Sequence, residues 1–333
     1  MPLLNEVCQK LEKSSIFTKT MIDANKQLHF ILSTSDIGAG KSGAADGPIA
    51  VKDELAHLGF PIHEFEILNQ VTLHTKYLEN SFGLNIENVV KAMSTLNNSV
   101  VETIQNQKFP IIISGDHSNA IGGLSGLKNA NPDKKIGVIW IDAHADLHSP
   151  YTTPSGNIHG MPLAALAGLN HEELKKNEVA EDVAYYWNEL KTLGYNKISP
   201  KFELKDLVLI GVRDAEAEEW QIIEKAGVTT FEPDDIKAKG IEKILEESIA
   251  KLSNCDLMYI SFDADALDPE ISTGTGTTVP NGLSVTQAET IFKTLMKHPK
   301  TGAFEITEVN PNLDTNGKAM AKVISHLLVS GLN

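Results

Sequence analysis

The sequence is poor in cysteine, in aromatic residues and in long apolar runs. Its 333 residues include two cysteines, Cys8 and Cys255, and aromatic residues make up 6%. Two cysteines cannot form a disulfide framework, which favours reduced thiols inside a cell. No apolar run approaches the ~18 residues that cross a membrane, and the N-terminal MPLLNEVCQKLEK becomes charged too early for a signal-peptide core. We therefore expect a cytoplasmic protein without a membrane partner.

Basic residues are also scarce. Lys and Arg number 29 against 44 Asp and Glu, which gives a formal net charge of −15. Nucleic acids and anionic membranes require clusters of Lys and Arg, so we expect neither as a partner. Hydrophobic residues make up 41% of the chain, enough for a sizeable core.

Short apolar runs alternate with longer amphipathic segments. We predict strands at residues 28–33, 63–68, 109–114, 135–142, 207–212, 228–231, 257–263 and 303–309, and helices at about 85–106, 241–252 and 284–297. Several strands are continuously apolar and β-branched, which is typical of a parallel sheet covered on both faces. The pattern predicts one α/β domain over residues 1–333. The polar stretch 170–206 is interpreted as an insertion.

Three polar clusters directly follow predicted strands. They are Ser114-Gly115-Asp116-His117-Ser118, Asp142-Ala143-His144-Ala145-Asp146 and Ser261-Phe262-Asp263-Ala264-Asp265. In open α/β sheets, the working loops lie at the carboxyl ends of the strands. Residues two apart in an extended chain point to the same side, so the polar members of each cluster can converge. Such groups would repel one another and lose hydration unless a cation neutralised them.

A single Asp-x-Asp after a strand is more often a turn or a helix cap than a ligand pair. Three such clusters in one chain favour a metal site. The predicted metal ligands are His117, Asp142, His144, Asp146, Asp263 and Asp265. This set is rich in oxygen and lacks thiolate, so it suits Mn²⁺ or Mg²⁺ better than tetrahedral zinc. Six side chains exceed the need of one ion, which favours two ions that activate a bridging water for hydrolysis.

These motifs resemble the binuclear-manganese ureohydrolases, which include arginases and agmatinases. The resemblance extends from the segment at residues 38–48 to Glu308-Val-Asn-Pro311. It implies a three-layer α/β/α fold with a parallel, roughly eight-stranded sheet, two Mn²⁺ per chain and a homo-oligomer, either trimer or hexamer. One ion would be held by His117, Asp142, Asp146 and Asp263. The other would be held by Asp142, His144, Asp263 and Asp265, with Asp142 and Asp263 bridging.

Within the family, Ser155-Gly-Asn-Ile-His-Gly-Met-Pro162 and the motif at Glu308 are most similar to arginase. The resemblance implies that His159 handles protons near the leaving amine and that Glu308 pairs with the guanidinium. The implied catalytic residues are His159, Asp146 and Glu308. The implied substrate-binding residues are Ser155, Asn157, Asp214, Glu216, Thr277 and Glu308. Ser155 and Asn157 would meet the α-carboxylate, and Thr277 would lie near the guanidinium.

Two positions depart from the arginase pattern. His148 stands where arginases often carry Asn, and Glu216 stands where they usually carry Asp. Both departures affect the amino-acid end of the substrate and leave the metal ligands unchanged. We predict hydrolysis of L-arginine to L-ornithine and urea by an activated hydroxide. The alternative within the family is an agmatinase or another guanidino-substrate ureohydrolase.

Two alternatives lie outside this activity. Gly38-Ala-Gly-Lys-Ser42 superficially resembles a phosphate-binding loop, but that motif needs Gly five residues before Gly40, where this chain has Ser35. Pro48 also disfavours continuation of the helix that should start there. The other alternative is a non-catalytic binding or regulatory protein with the same fold.

Overall fold

The computed structural model describes residues 27–60, 62, 64–69, 82–315 and 318–333. The strands in this part of the chain are β1 Gln27–Ser33, β2 Phe65–Leu68, β3 Lys108–Ser114, β4 Ile136–Ile141, β5 Leu207–Ile210, β6 Thr229–Phe231, β7 Leu257–Asp263 and β8 Thr301–Thr307. Each corresponds to one predicted strand. The start of the second predicted strand, His63, and the thiol of Cys8 lie outside the described residues.

The strands form one eight-stranded sheet in the order β2-β1-β3-β8-β7-β4-β5-β6. All of the neighbouring pairs are parallel. In β3, the consecutive residues Ile111, Ile112 and Ile113 are all fully buried. Such continuous burial requires cover on both faces, as the apolar runs predict. The predicted parallel sheet is confirmed.

Helices cover both faces of this sheet. The α-helices in the described residues are α1 Gly47–His57, α2 Ile86–Gln105, α3 Ala120–Ala130, α4 Pro162–Leu166, α5 Glu181–Lys191, α6 Ala217–Ala226, α7 Pro233–Lys239, α8 Ile241–Lys251, α9 Val285–Leu295 and α10 Ala319–Leu332. One core joins the sheet to α1, α7, α8, α9 and α10. A second core joins the opposite face to α2, α3, α4 and α6. The predicted three-layer α/β/α architecture is confirmed.

Local sequence explains where two of these helices form. In α8 the apolar stripe Ile241, Ile244 and Leu245 is buried against the sheet. Helix α9 begins after Ser284, whose Oγ accepts a hydrogen bond from the backbone N–H of Gln287, and the Gln287 side chain accepts one from the N–H of Ser284. This capping box satisfies two backbone donors at the helix start.

The segment at residues 170–206 packs against α2, α3 and α4. Its helix α5 buries Val183, Trp187 and Leu190 in a third apolar cluster. The Trp187 Nε1–H donates to Asn170 Oδ1 over 3.1 Å. Its status as an insertion, and the assignment of residues 1–333 to one domain, stay predictions. None of the helices described in the structure is long and apolar enough to cross a membrane.

Strand order determines where the polar clusters meet. The four strands β3, β8, β7 and β4 are consecutive neighbours near the middle of the sheet. Because all run in the same direction, their carboxyl ends lie along one edge. The segments that follow these strands carry the polar clusters and Glu308. Residues far apart in sequence therefore reach one site.

Candidate metal centre

The first side-chain group surrounds His117, which follows β3. Its ring is fully buried, and Nδ1 lies 3.0 Å from Asp142 Oδ2, 3.0 Å from Asp146 Oδ2 and 3.1 Å from Asp263 Oδ2. Despite these distances, Nδ1 makes no well-aligned hydrogen bond with any described residue. Three carboxylate oxygens converging on one unsatisfied ring nitrogen fit coordination of a shared cation better than hydrogen bonding.

The second group surrounds His144, at the end of β4. Nδ1 of His144 lies 3.0 Å from Asp265 Oδ2 and 3.4 Å from Asp142 Oδ1. His117, Asp142 and Asp263 offer ligand atoms within 4.8 Å of one another, and so do Asp142, His144 and Asp265. Asp142 belongs to both groups. The two clusters could therefore hold two metal ions that share this carboxylate.

The chain fixes the orientation of the ligand side chains. Trp140 stacks on the His117 ring with centroids 4.0 Å apart and planes 7° apart. The Trp140 Nε1–H donates to Asp142 Oδ2 over 2.9 Å. Asp263 Oδ1 accepts the backbone N–H of Asp265 over 2.7 Å. These contacts orient the side chains around the proposed ions.

The electrostatics of the protein atoms alone are unfavourable. Burial and the neighbouring Asp265 and Asp142 raise the pKa of Asp263 well above its usual value. Burial and Asp142 raise the pKa of Asp146 to about 6. Burial acts on Asp142 as well, but the two imidazoles outweigh it and lower the pKa. Divalent cations would remove the repulsion that these shifts express. The donor set therefore fits a carboxylate-preferring metal.

Glu308 and His159 adjoin the metal groups. Glu308 Oε1 accepts the backbone N–H of His117 over 3.1 Å and lies 3.1 Å from His159 Nδ1. Burial lowers the pKa of His159, but the hydrogen bond and charge of Glu308 outweigh it and raise the pKa to about 9. His159 is therefore poised to hold a proton at neutral pH.

Two carboxylates of the site lie on left-handed backbone. Asp146 has φ 50° and Glu308 has φ 61°. Side chains rarely adopt this conformation, because Cβ approaches the backbone oxygen, at a cost of roughly 1–2 kcal/mol per residue. Glu308 is held there by its backbone N–H, which donates to Gly115 O over 2.7 Å. Such strain is common where a side chain must be aimed at a functional site.

A cavity of about 130 Å³ opens from the metal groups. It is lined by His117, His144, Asp146, His148, Thr153, Pro154, Ser155, His159, Gly160, Glu216, Glu219, Asp263, Asp265, Thr277 and Glu308. Thr277 donates from Oγ1 to Asp265 Oδ2 over 2.8 Å, which places it beside the second group. The cavity joins most of the predicted ligands and substrate contacts in one space.

A second charged group lines the cavity. His148 Nε2 lies 3.1 Å from Glu216 Oε2 and 3.6 Å from Glu219 Oε2. The hydrogen bond with His148 lowers the pKa of Glu216 to about 2. Burial and then Glu216 raise the pKa of Glu219 well above its usual value. We call His148, Glu216 and Glu219 the distal group.

Two predicted substrate residues are not among the cavity-lining residues. Asn157 lies against the loop at Gly40, where an added Cβ would come 2.7 Å from Asn157 Nδ2. The Asp214 side chain is 69% exposed, and its Oδ2 lies 3.9 Å from His144 Nε2. Asp214 therefore stands at the rim of the second metal group. Both assignments stay predictions.

Sequence reasoning missed Glu219 and Thr153 as cavity residues. Glu219 is buried, and its Oε2 accepts the N–H of Glu216 in the capping box of α6. The Glu-x-x-Glu spacing before an amphipathic helix could have predicted that contact. Thr153 has no comparable signal, because only the loop path brings it to the cavity.

The loop at residues 38–42 does not form a phosphate cradle. The N–H of Gly38 donates to Asp116 Oδ2 over 2.7 Å, and Lys41 Nζ donates to Gly276 O over 2.5 Å. The backbone N–H and the ammonium group that would bind a phosphate thus already donate hydrogen bonds to other residues of the protein. The loop instead packs beside the metal groups.

Together, the fold and site define a class: parallel α/β proteins with a carboxylate-and-imidazole centre at the carboxyl edge of the sheet. The sequence model described as "Arginase family" matches residues 26–332. The chain belongs to the arginase family. It is a hydrolase of the type that acts on guanidino or amidino substrates.

Relatives and solved structures agree with this family. The chain is 32% identical to an arginase from Bacillus subtilis (strain 168), over 91% of this chain and 98% of that protein. It is 34% identical to an arginase from Staphylococcus aureus (strain MSSA476), over 90% and 95% respectively. A crystal structure of the B. subtilis enzyme superposes with a TM-score of 0.78 at 31% identity, covering 92% of this chain and 99% of that one.

A more distant structure shares the fold alone. Formimidoylglutamase from Bacillus subtilis matches with a TM-score of 0.68 at 19% identity and covers 100% of this chain and 98% of that one. The same fold therefore carries different activities, and the substrate must be argued from the site.

Proposed function

We propose that this protein hydrolyses L-arginine to L-ornithine and urea with two Mn²⁺ per chain. The observation that carries the proposal is the convergence of six His and Asp side chains around a cavity that also holds Glu308 and His159. The curated relatives named above are arginases, which supports the same substrate. The ligands that we propose are the ones predicted from the sequence: His117, Asp142, His144, Asp146, Asp263 and Asp265.

The donor set supports manganese. Four carboxylates and two imidazoles without thiolate form an oxygen-rich set, which suits octahedral Mn²⁺ or Mg²⁺. When bound, such a pair of ions supplies Lewis acidity and lowers the pKa of water from ~15.7 towards neutrality. Asp146, whose Oδ2 is within 3.0 Å of His117 Nδ1, would orient the attacking water.

Glu308 would orient the guanidinium. Its Oε1 is occupied by the backbone N–H of His117, while Oε2 lies 3.7 Å from the position of a Cβ on Gly276. Glycine leaves room on that side for the planar guanidinium, which would donate a charge-assisted hydrogen bond to the remaining oxygen, Oε2. Fixing the guanidinium in front of the attacking water removes much of the entropic barrier.

His159 would give a proton to the departing amine. A tetrahedral intermediate from a guanidinium collapses only when the leaving nitrogen is protonated. Its interaction with Glu308 raises the pKa of His159 to about 9, which keeps it protonated at neutral pH. His159 lines the cavity in which the substrate would bind.

The distal group supports an amino-acid substrate over an amine. A zwitterion presents a carboxylate and an ammonium together, and the paired His148 and Glu216 offer one group for each. Ser155 also lines the cavity and can donate a hydrogen bond to the carboxylate. Agmatine carries only a cation at that end, so it would leave His148 without a partner from the substrate.

The decisive experiment assays L-arginine, agmatine and 4-guanidinobutyrate in parallel on the Mn²⁺-loaded protein, with metal content measured in the same samples. We expect urea release to be fastest from L-arginine. A preference for agmatine or 4-guanidinobutyrate would replace the substrate assignment. Two Mn²⁺ per chain with no urea from any of the three would favour the non-catalytic alternative.

The family resemblance also leads us to propose a homo-oligomer, either a trimer or a hexamer, located in the cytoplasm. Size-exclusion chromatography with light scattering tests the first part. A mass of one chain, 36.2 kDa, would contradict it.

A further inference from the structure

Beneath the metal groups, the sheet contains a buried carboxylate that has no part in the proposed reaction. Glu305 lies on β8, between β3 and β7, and is fully buried. A carboxylate at such a position is costly unless its oxygens accept hydrogen bonds. Its role must therefore be sought in its partners.

The partners of Glu305 are hydroxyl groups from both neighbouring strands. Ser114 Oγ donates to Oε1 over 2.8 Å, and Tyr259 OH and Ser261 Oγ donate to Oε2 over 2.9 and 3.0 Å. Burial raises the pKa of Glu305, while His117 and the three hydroxyl donors act to lower it. In its ionised form the carboxylate only accepts hydrogen bonds, so it fixes the direction of every hydroxyl that it binds.

One of these hydroxyls continues to the metal centre. Ser261 Oγ lies 2.8 Å from His117 Nε2, on the side of the ring opposite the carboxylates. Because the Ser261 hydrogen points to Glu305, its oxygen must accept the proton on Nε2. A proton on Nε2 leaves Nδ1 with a free lone pair, directed at Asp142, Asp146 and Asp263.

We propose that Glu305 is a positioning residue that, through Ser261, holds His117 in the tautomer able to bind a metal ion at Nδ1. This inference rests on the proposed function for the metal ligands but not on the identity of the substrate. Outer partners of metal-bound histidines set both tautomer and basicity, and their loss typically weakens metal binding by about 10–100-fold. Here a serine hydroxyl links the carboxylate to the imidazole.

The test uses Glu305→Gln and Ser261→Ala, with Mn²⁺ alone as the probe. Glutamine keeps the shape but offers one acceptor oxygen to three hydroxyls and carries no charge. We expect about 10–100-fold weaker binding of one Mn²⁺ of the two, measured by titration calorimetry. At limiting Mn²⁺, electron paramagnetic resonance should show isolated ions where the wild type shows a coupled pair.

The double variant Glu305→Gln/Ser261→Ala tests whether Glu305 acts on His117 through Ser261. If Glu305 acts through Ser261, Glu305→Gln should add little further loss in the Ser261→Ala background. A full additional loss in that background would overturn the relay, and so would wild-type Mn²⁺ affinity in both single variants. If Glu305→Gln fails to fold, Ser261→Ala and Glu305→Asp, which keeps the charge, still decide the question.

Tyr259→Phe is the matched control. It removes a hydroxyl from the same oxygen of Glu305 without touching Ser261 or His117. We expect it to lower the melting temperature of the metal-free protein and to leave Mn²⁺ affinity unchanged. Equal loss of Mn²⁺ affinity in this control would assign Glu305 a general structural role and overturn the proposal.

The outcomes separate this inference from the proposed function. Absence of urea release with intact Mn²⁺ binding would overturn the proposed hydrolysis, while the Mn²⁺ affinities of Glu305→Gln and Ser261→Ala would still decide the relay. Wild-type protein that binds no Mn²⁺ would overturn both. Normal turnover with unchanged Mn²⁺ binding in Glu305→Gln and Ser261→Ala would overturn the relay alone.

Discussion

The metal groups and the distal group are built from different kinds of structure. The proposed ligands lie at or just after the carboxyl ends of β3, β4 and β7, and five of the six are buried. The distal group is carried by the segment after β4 and the start of α6, and the Glu216 side chain is 52% exposed. Strand ends hold side chains more rigidly than loops, which tolerate substitution.

This difference suggests a division of roles between the two groups. Chemistry that depends on converging charges needs rigid support, and here it is placed on the core of the sheet. Under the proposed function, selection of the substrate's far end would use residues that can be replaced without disturbing that support. The departures from the arginase pattern, His148 and Glu216, both belong to the distal group.

The largest effect should come from the metal groups. We expect Asp142→Asn or Asp263→Asn to lose Mn²⁺ and nearly all activity, with a larger drop in affinity than the ~10–100-fold typical of outer partners. Metal analysis after dialysis measures the bound Mn²⁺, and a urea assay measures the activity. Asp133→Asn, on the exposed surface, is the control. Retention of both ions at the wild-type ratio would remove the assignment of these carboxylates.

The next effect concerns the proton donor. We expect His159→Ala to keep both ions and to lower kcat by about 10²–10⁴-fold, the usual contribution of a general acid. With the pKa of His159 raised to about 9, wild-type kcat should fall as pH rises through that value and the donor deprotonates. The kcat of His159→Ala should not show this fall at alkaline pH. An unchanged kcat from neutral to alkaline pH would exclude the role.

A smaller effect should follow at the distal group. We expect His148→Ala to raise KM for L-arginine by about 10-fold, the equivalent of one charged hydrogen bond, with kcat nearly unchanged. The ratio of kcat/KM for L-arginine to that for agmatine should fall. Glu216→Asp, which shortens the side chain but keeps its charge, is the comparison. A fall in kcat without a change in KM would contradict the assignment of substrate selection, and not catalysis, to the distal group.

The smallest effects should come from predicted contacts outside the cavity lining. We expect Asp214→Asn and Asn157→Ala to change KM for L-arginine by no more than about 2–3-fold, as for exposed polar contacts. Ser155→Ala, which does affect the lining, should exceed both. A larger rise in KM for Asp214→Asn than for Ser155→Ala would show that substrate binding rearranges the residues at the rim of the second metal group.

The sequence was sufficient for the sheet, because buried strands leave a short-range pattern, and it also supplied the proposed metal ligands, which stay a prediction. Continuous apolar runs mark buried strands. The sequence explains less of the site, because the i, i+2 rule holds for extended chain, whereas Asp146 has left-handed backbone and reaches His117 while His144 reaches Asp265.

The sequence was not sufficient for side chains whose surroundings come from distant segments. Nothing in the sequence around Glu305 distinguishes it from other residues of a strand. Only the strand order places it between Ser114 and Ser261.

The left-handed backbone at Asp146 and Glu308 has a consequence for laboratory evolution of this enzyme. Glycine at either position would adopt this backbone without strain, but it would loosen the unfolded chain and delete a carboxylate, and at Glu308 it would leave the buried N–H of His117 without its acceptor. Heat resistance alone therefore does not rank glycine variants at these two positions, and selection for durable catalysts must score turnover in every round.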